Sequence, residues 1–138
     1  MDDNAVKEKF SRYPPHVREK LEYLRHLIFD VAKNTEGVGP IQETLKWNEP
    51  SYITAKTKSG TTIRINWKES RPEEFFLYVN CRTTLIDQFN SLFPDTFRYE
   101  GSRAVIFDLN KKVPEEELRI CLSLALRYHL DKKDKTFK

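Results

Sequence analysis

An α+β fold, with an antiparallel sheet of about five strands and two long helices on one of its faces, follows from three features of the 138-residue sequence. Apolar residues recur at helical spacing near the N-terminus, at Val17, Leu21, Leu24, Ile28 and Val31. In the middle they recur at the period of a strand, where Ile63, Ile65 and Trp67 alternate with Thr62, Arg64 and Asn66. Near the C-terminus, Leu118 to Tyr128 is apolar on most sides, as a helix packed over much of its surface would be. Short polar loops between the strand segments suit antiparallel hairpins rather than parallel crossovers. The resulting element order is ααβββαββα.

Residues 1–12 are polar and unpatterned and read as a loose arm from which Phe10 can rest on the body. Pro14-Pro15 opens the first helix, because proline loses nothing at the first helical position, and the stop signals of Asn34 to Pro40 end it. Ile41 to Trp47 reads as a short second helix, with Ile41 and Leu45 one turn apart and Pro50 closing it. Ser51–Lys56 and Thr61–Trp67 form a hairpin through Thr57-Lys58-Ser59-Gly60. Phe75–Asn80, apolar on both sides, belongs at the centre of the sheet. Thr84-Leu85-Ile86-Asp87 is laid out as a capping box for a helix that Pro94 closes. Thr96–Glu100 and Ala104–Asp108 flank the turn Gly101-Ser102-Arg103. The last helix starts after Val113-Pro114 with Glu115, Glu116 and Glu117 at the positive end of its dipole. It buries Leu118, Cys121, Leu122 and Ala125, widened by Ile120 and Leu126, and leaves a polar stripe of Arg119, Ser123 and Arg127. Asp131–Lys138 reads as a frayed charged tail, so one domain over 1–138 has an ordered core of about 13–130.

The 24 Lys and Arg residues against 21 Asp and Glu leave a net charge of only +3, and hydrophobic residues at 38% suffice for one core. No apolar run approaches the roughly 20 residues of a membrane span. The N-terminus lacks the layout of a signal peptide, and Cys81 and Cys121 are isolated, which points to a cytoplasmic protein without a disulfide framework. Four glycines leave little material for a phosphate-cradling loop, and no Ser-His-Asp, metalloprotease or P-loop pattern occurs. Cys121 falls on a core face and Cys81 just after a strand, so neither stands beside a base. The expectation is a non-enzymatic binding module without a cofactor.

The segment Glu43-Thr44-Leu45-Lys46-Trp47-Asn48-Glu49-Pro50-Ser51-Tyr52 resembles the Glu-x-Leu/Ile-x-Trp-x-x-Pro-x-Tyr/Phe motif of the YdhG-like family of domains of unknown function. The Tyr13-Pro14 helix entry, Gly101-Ser102-Arg103-Ala104-Val105-Ile106-Phe107 and the Val113-Pro114 helix start follow the same family at pattern level. That resemblance implies a small frataxin-like α+β fold, and some relatives are labelled intracellular iron chaperones on that basis. It implies no reaction. Relatives often carry a His in the second strand, where this chain has Thr62-Ile63-Arg64-Ile65-Asn66.

Three surfaces are candidates for function. Glu43, Trp47, Asn48 and Tyr52, with Arg64 from the neighbouring strand, combine aromatic walls with a few polar groups, the composition of a small-ligand or protein-partner site. Glu19, Glu22, His26 and Asp30 fall along one face of the first helix, and imidazole with carboxylates suits a divalent metal such as iron. Arg18 and Arg25 interrupt that face. Lys56, Lys58, Arg64 and Lys68, near Tyr52 and Trp67, give the first hairpin the basic and aromatic content that weak nucleic-acid binding would use. Trp67 shares parity with Ile63 and Ile65, however, which aims its ring at the core. The oligomeric state is not legible from these residues.

Overall fold

The computed structural model describes residues 4–135. Five helices, α1 (Asn4–Arg12), α2 (Pro15–Asn34), α3 (Leu85–Leu92), α4 (Glu115–Leu126) and α5 (Tyr128–Lys135), accompany six strands. The strands are β1 (Gln42–Lys46), β2 (Glu49–Ile53), β3 (Ile63–Asn66), β4 (Glu74–Tyr78), β5 (Arg98–Glu100) and β6 (Ala104–Asp108). They form one antiparallel sheet in the order β1-β2-β3-β4-β6-β5. Among the described residues, no helix is long and apolar enough to cross a membrane.

Strand parity divides the side chains between two faces. Tyr52, Ile63, Ile65, Phe75, Leu77, Val105 and Phe107 share one core with Leu21, Leu24 and Ile28 of α2 and Leu118, Leu122 and Ala125 of α4. Phe76, Tyr78, Ala104 and Ile106 make a second, smaller cluster on the opposite face. β4 is thus apolar on both sides, and it lies between β3 and β6 as its composition requires. Across the helix layer, Arg119 of α4 pairs with Asp30 of α2 at 2.6 Å and with Glu115 at 3.1 Å, and Tyr23 donates to Glu115.

Several sequence expectations need correction. The segment 41–47 is not a helix: Gln42–Lys46 is an edge strand paired with β2, from Gln42 opposite Ile53 to Lys46 opposite Glu49. Seven residues with Ile41 and Leu45 four apart satisfy a helical face and strand parity equally well, and the sheet decides between them. Pro50 does not end a helix but lies within β2. The β2–β3 ladder covers only Ser51 and Tyr52, so the missing N–H of Pro50 costs no bond there. The sheet has six strands rather than five.

The N-terminal arm holds α1, whose Val6 and Phe10 are buried. Its C-terminal carbonyls are closed by one side chain, since Arg18 donates to the Phe10, Ser11 and Tyr13 carbonyls at 3.0, 3.0 and 3.1 Å. The C-terminal tail continues as α5 through Lys135, and 136–138 fall outside the described residues. Thr84 makes no capping bond; its hydroxyl accepts from Gln88 Nε2 at 3.0 Å instead. Ile120 stands 49% exposed and does not widen the buried stripe of α4. The supposed polar stripe is engaged, because Arg127 pairs with Asp131 at 3.2 Å and donates to the Glu36 carbonyl.

The loop between β2 and β3 finishes α4. Thr61 N–H donates to the Ala125 carbonyl at 3.1 Å and Ser59 Oγ to the Leu126 carbonyl at 2.8 Å, while the Ser59 carbonyl accepts from His129 N–H at 2.8 Å as α5 begins. Gly60 permits this approach: a Cβ there would sit 2.4 Å from the Leu126 carbonyl oxygen and 2.6 Å from that of Ala125.

Candidate functional site

β1 and β2 are joined by the two residues Trp47 and Asn48, with φ of 56° and 61°. Two left-handed residues in a two-residue connection are what a type I′ hairpin turn requires, and Asn-Gly is its usual sequence. Asn tolerates that region and Trp does not, so Trp47 occupies a conformation costing roughly 1–2 kcal/mol relative to an ordinary backbone. Its ring makes no compensating contact of any size: Trp47 is 85% exposed.

Below the turn the motif is locked onto α2. Glu43 and Tyr52 are cross-strand partners on the helix-facing side. The Glu43 side chain is only 7% exposed and receives a bidentate pair from Arg25, at 2.5 and 3.0 Å. Hydrogen bonding to Glu43 in turn raises the pKa of Arg25. Arg25 also lies 4.8 Å over the Phe29 ring, which meets Tyr52 edge-on at 5.8 Å. The Tyr52 hydroxyl is buried without a hydrogen bond, and burial together with the Glu43 charge pushes its pKa well above that of a free tyrosine. Held by Arg25 in this way, Glu43 ties the base of the hairpin to α2.

Arg64 belongs elsewhere. It sits on the opposite face, paired with Glu49 at 3.3 Å, and Asn66 donates Nδ2–H to Glu49 at 3.1 Å while its Oδ1 accepts from the Tyr13 hydroxyl at 2.7 Å. Burial raises the Glu49 pKa despite the opposing charge of Arg64 and the bond from Asn66. The five residues of the sequence motif therefore fall into three places: a helix-facing brace of Glu43 and Tyr52, an exposed tip of Trp47 and Asn48, and Arg64 on the open face. Two concavities among the described residues lie at another end of the sheet. Cavities of about 200 and 540 Å³ share Arg98, Asp108 and Lys111 as lining residues. Nothing in the local sequence marks that region, since its walls come from β4, β5, β6 and the residues leading into α4.

The other two candidate sets are dispersed. Asp30 is held below the usual carboxylate range by its hydrogen bond from Arg119, while Glu19, Glu22 and His26 are exposed. Among the described residues no three His, Cys, Asp or Glu side chains are grouped so as to hold a metal ion. Lys56 and Lys58 lie in the loop that finishes α4, whereas Lys68 follows the far end of β3. Trp67 is partly buried against the main core and donates Nε1–H to the Pro72 carbonyl at 3.0 Å. Cys121 is buried and its thiol is pushed up to about 12 by desolvation, whereas Cys81 is exposed.

No family model and no curated protein matches the sequence. Among solved structures, the fold is similar to that of a DUF1801 family protein, YdhG of Bacillus subtilis, with a TM-score of 0.66 at 18% identity, over 95% of this chain and 93% of that one. The chain thus has the fold of a DUF1801, YdhG-type protein, in agreement with the resemblance carried by Glu43 to Tyr52.

Proposed function

We propose that the chain is a non-enzymatic binding module that docks a protein partner through the tip of the β1–β2 hairpin, with Trp47 as the anchor. One observation carries this reading: Trp47 combines 85% exposure with a left-handed backbone, two local penalties without internal compensation. Tryptophan is the side chain most enriched at interface hot spots, because it removes a large apolar area from water while ordering few torsions. The Arg25–Glu43 pair and Tyr52 serve the tip by fixing the hairpin base against α2, so that little freedom is lost on docking.

The test separates binding from folding. Trp47→Asn puts a residue suited to the turn at the same position, so its urea stability should equal or exceed the parent's by about 0.5–1 kcal/mol. Parent and variant, each immobilised, are then compared for the proteins they retain from the source cell extract, with a cyclic 42–53 peptide as competitor. The expected result is a partner held by the parent, displaced by the peptide and lost with Trp47→Asn. Identical retention by both proteins, or destabilisation of Trp47→Asn by more than about 1 kcal/mol, would mark Trp47 as a structural residue.

A further inference from the structure

The face of the sheet opposite α2 and α4 carries a small buried aromatic cluster flanked by charged side chains. Tyr78 of β4 lies there, stacked on Phe76 with centroids 5.7 Å apart and planes at 9°. Lys68 Nζ sits 5.8 Å from the Tyr78 centroid and 5.3 Å from that of Phe76. The Arg103 guanidinium is likewise 5.8 Å from the Tyr78 centroid. Among the described residues neither Lys68 nor Arg103 has a carboxylate within ion-pair distance, although both are exposed. Glu49, whose charge acts on both cations from beyond ion-pair distance, pairs with Arg64 at 3.3 Å, and Glu100 pairs with Arg71 at 2.8 Å. Tyr78 itself is 5% exposed, and its hydroxyl is buried without a hydrogen-bond partner. Such a group ordinarily finds a partner, and here its ring carries two cations that have no carboxylate within ion-pair distance, a combination that suits an anionic acceptor.

We propose that this patch binds the phosphoryl group of a small phosphorylated molecule, with Lys68 and Arg103 as the charged ligands and the Tyr78 hydroxyl as the inner donor. A phosphoryl group supplies the acceptor oxygens that all three lack, and it bonds to ammonium and guanidinium groups with charge assistance. Lys68 and Arg103 are long exposed side chains resting on a ring, so either lifts off at little cost to admit an oxygen. A small ligand fits better than a nucleic-acid backbone, because the unpaired cations here are two and local, whereas Lys56 and Lys58 lie beyond the other end of β3. The proposal does not depend on the reading of Trp47.

Titration calorimetry with inorganic phosphate and pyrophosphate tests it, using Lys68→Gln, Arg103→Gln, the double variant and Tyr78→Phe. The expected result is saturable binding by the parent, weakened about tenfold or more in the double variant. Tyr78→Phe keeps the ring and removes an unpaired buried hydroxyl, so it should unfold in urea no earlier than the parent while still binding pyrophosphate several-fold more weakly. Absence of saturable heat in the parent, or equal affinity in the double variant, overturns the proposal. So does tighter binding of a single-stranded oligonucleotide that Lys56→Gln and Lys58→Gln abolish, which would place the phosphates of a polymer along the loop instead.

Discussion

Replacing Arg25 by Ala should be among the most damaging changes outside the apolar core, because it strands the carboxylate of Glu43. That carboxylate is 7% exposed and receives both of its charged hydrogen bonds from Arg25. Removing one partner of a fully buried ion pair costs about 3–5 kcal/mol. The Arg25 side chain is 26% exposed, so water entering the vacated space recovers part of that, and about 2–3 kcal/mol is expected. Loss of the contact with the Phe29 ring at 4.8 Å adds up to about 1 kcal/mol. Against a total of about 5–15 kcal/mol, the loss is large and should lower the melting temperature by roughly 10 °C. Urea unfolding of Arg25→Ala, Arg25→Met, Glu43→Leu and the double variant Arg25→Met/Glu43→Leu measures it. The double variant should lie within about 1 kcal/mol of the parent, because an apolar pair of similar size needs no desolvation of charge. A cost below about 0.5 kcal/mol for Arg25→Ala, or strict additivity in the double variant, would show that water already solvates Glu43 and that the brace is not what fixes the hairpin.

Three further outcomes follow from the packing and the charges. Leu122→Ala should cost about 2–5 kcal/mol, and Ile120→Ala less than about 1 kcal/mol, in urea unfolding, since the first side chain is buried in the core and the second is half exposed. Gly60→Ala should cost at least about 1–3 kcal/mol, because the added methyl meets the backbone of Ala125 and Leu126, and amide exchange should rise first around Thr61 and His129, whose N–H bonds tie the loop to α4 and α5. Asp30 is held below its ordinary pKa by Arg119, and Glu115 by Tyr23 and Arg119, so the folded chain keeps both ionised at a pH where the unfolded chain begins to protonate. Their stabilisation is present above the unfolded value of about 4 and is lost as pH falls through the lower folded values, so Arg119→Gln should show a shallower acid limb in stability against pH than the parent.

The helices α2 and α4 were legible because their evidence is local: each repeats its apolar side chains every three or four residues over several turns, and any partner surface would accept that stripe. The hairpins around Gly60 and Gly101 carried turn chemistry of their own, and β4 advertised its central place by being apolar on both sides. Segment 41–47 carried no such evidence, since Trp-Asn is not a hairpin signal and seven residues cannot distinguish a helix turn from an edge strand. Only pairing with β2 made it a strand. The arm at 4–12 looked unpatterned because two buried residues, Val6 and Phe10, hold it, and the group that closes it is Arg18 of the next helix. The candidate residues followed the same division. Strand parity put Arg64 opposite Ile63 and Ile65, but the register of three strands was needed to set it beside Glu49 and Tyr78 while Glu43 met Arg25, 18 positions away, on the other side. Periodicity is a property of consecutive residues, whereas which charges meet, and which aromatic is left in water, depends on contacts between segments that no local pattern encodes.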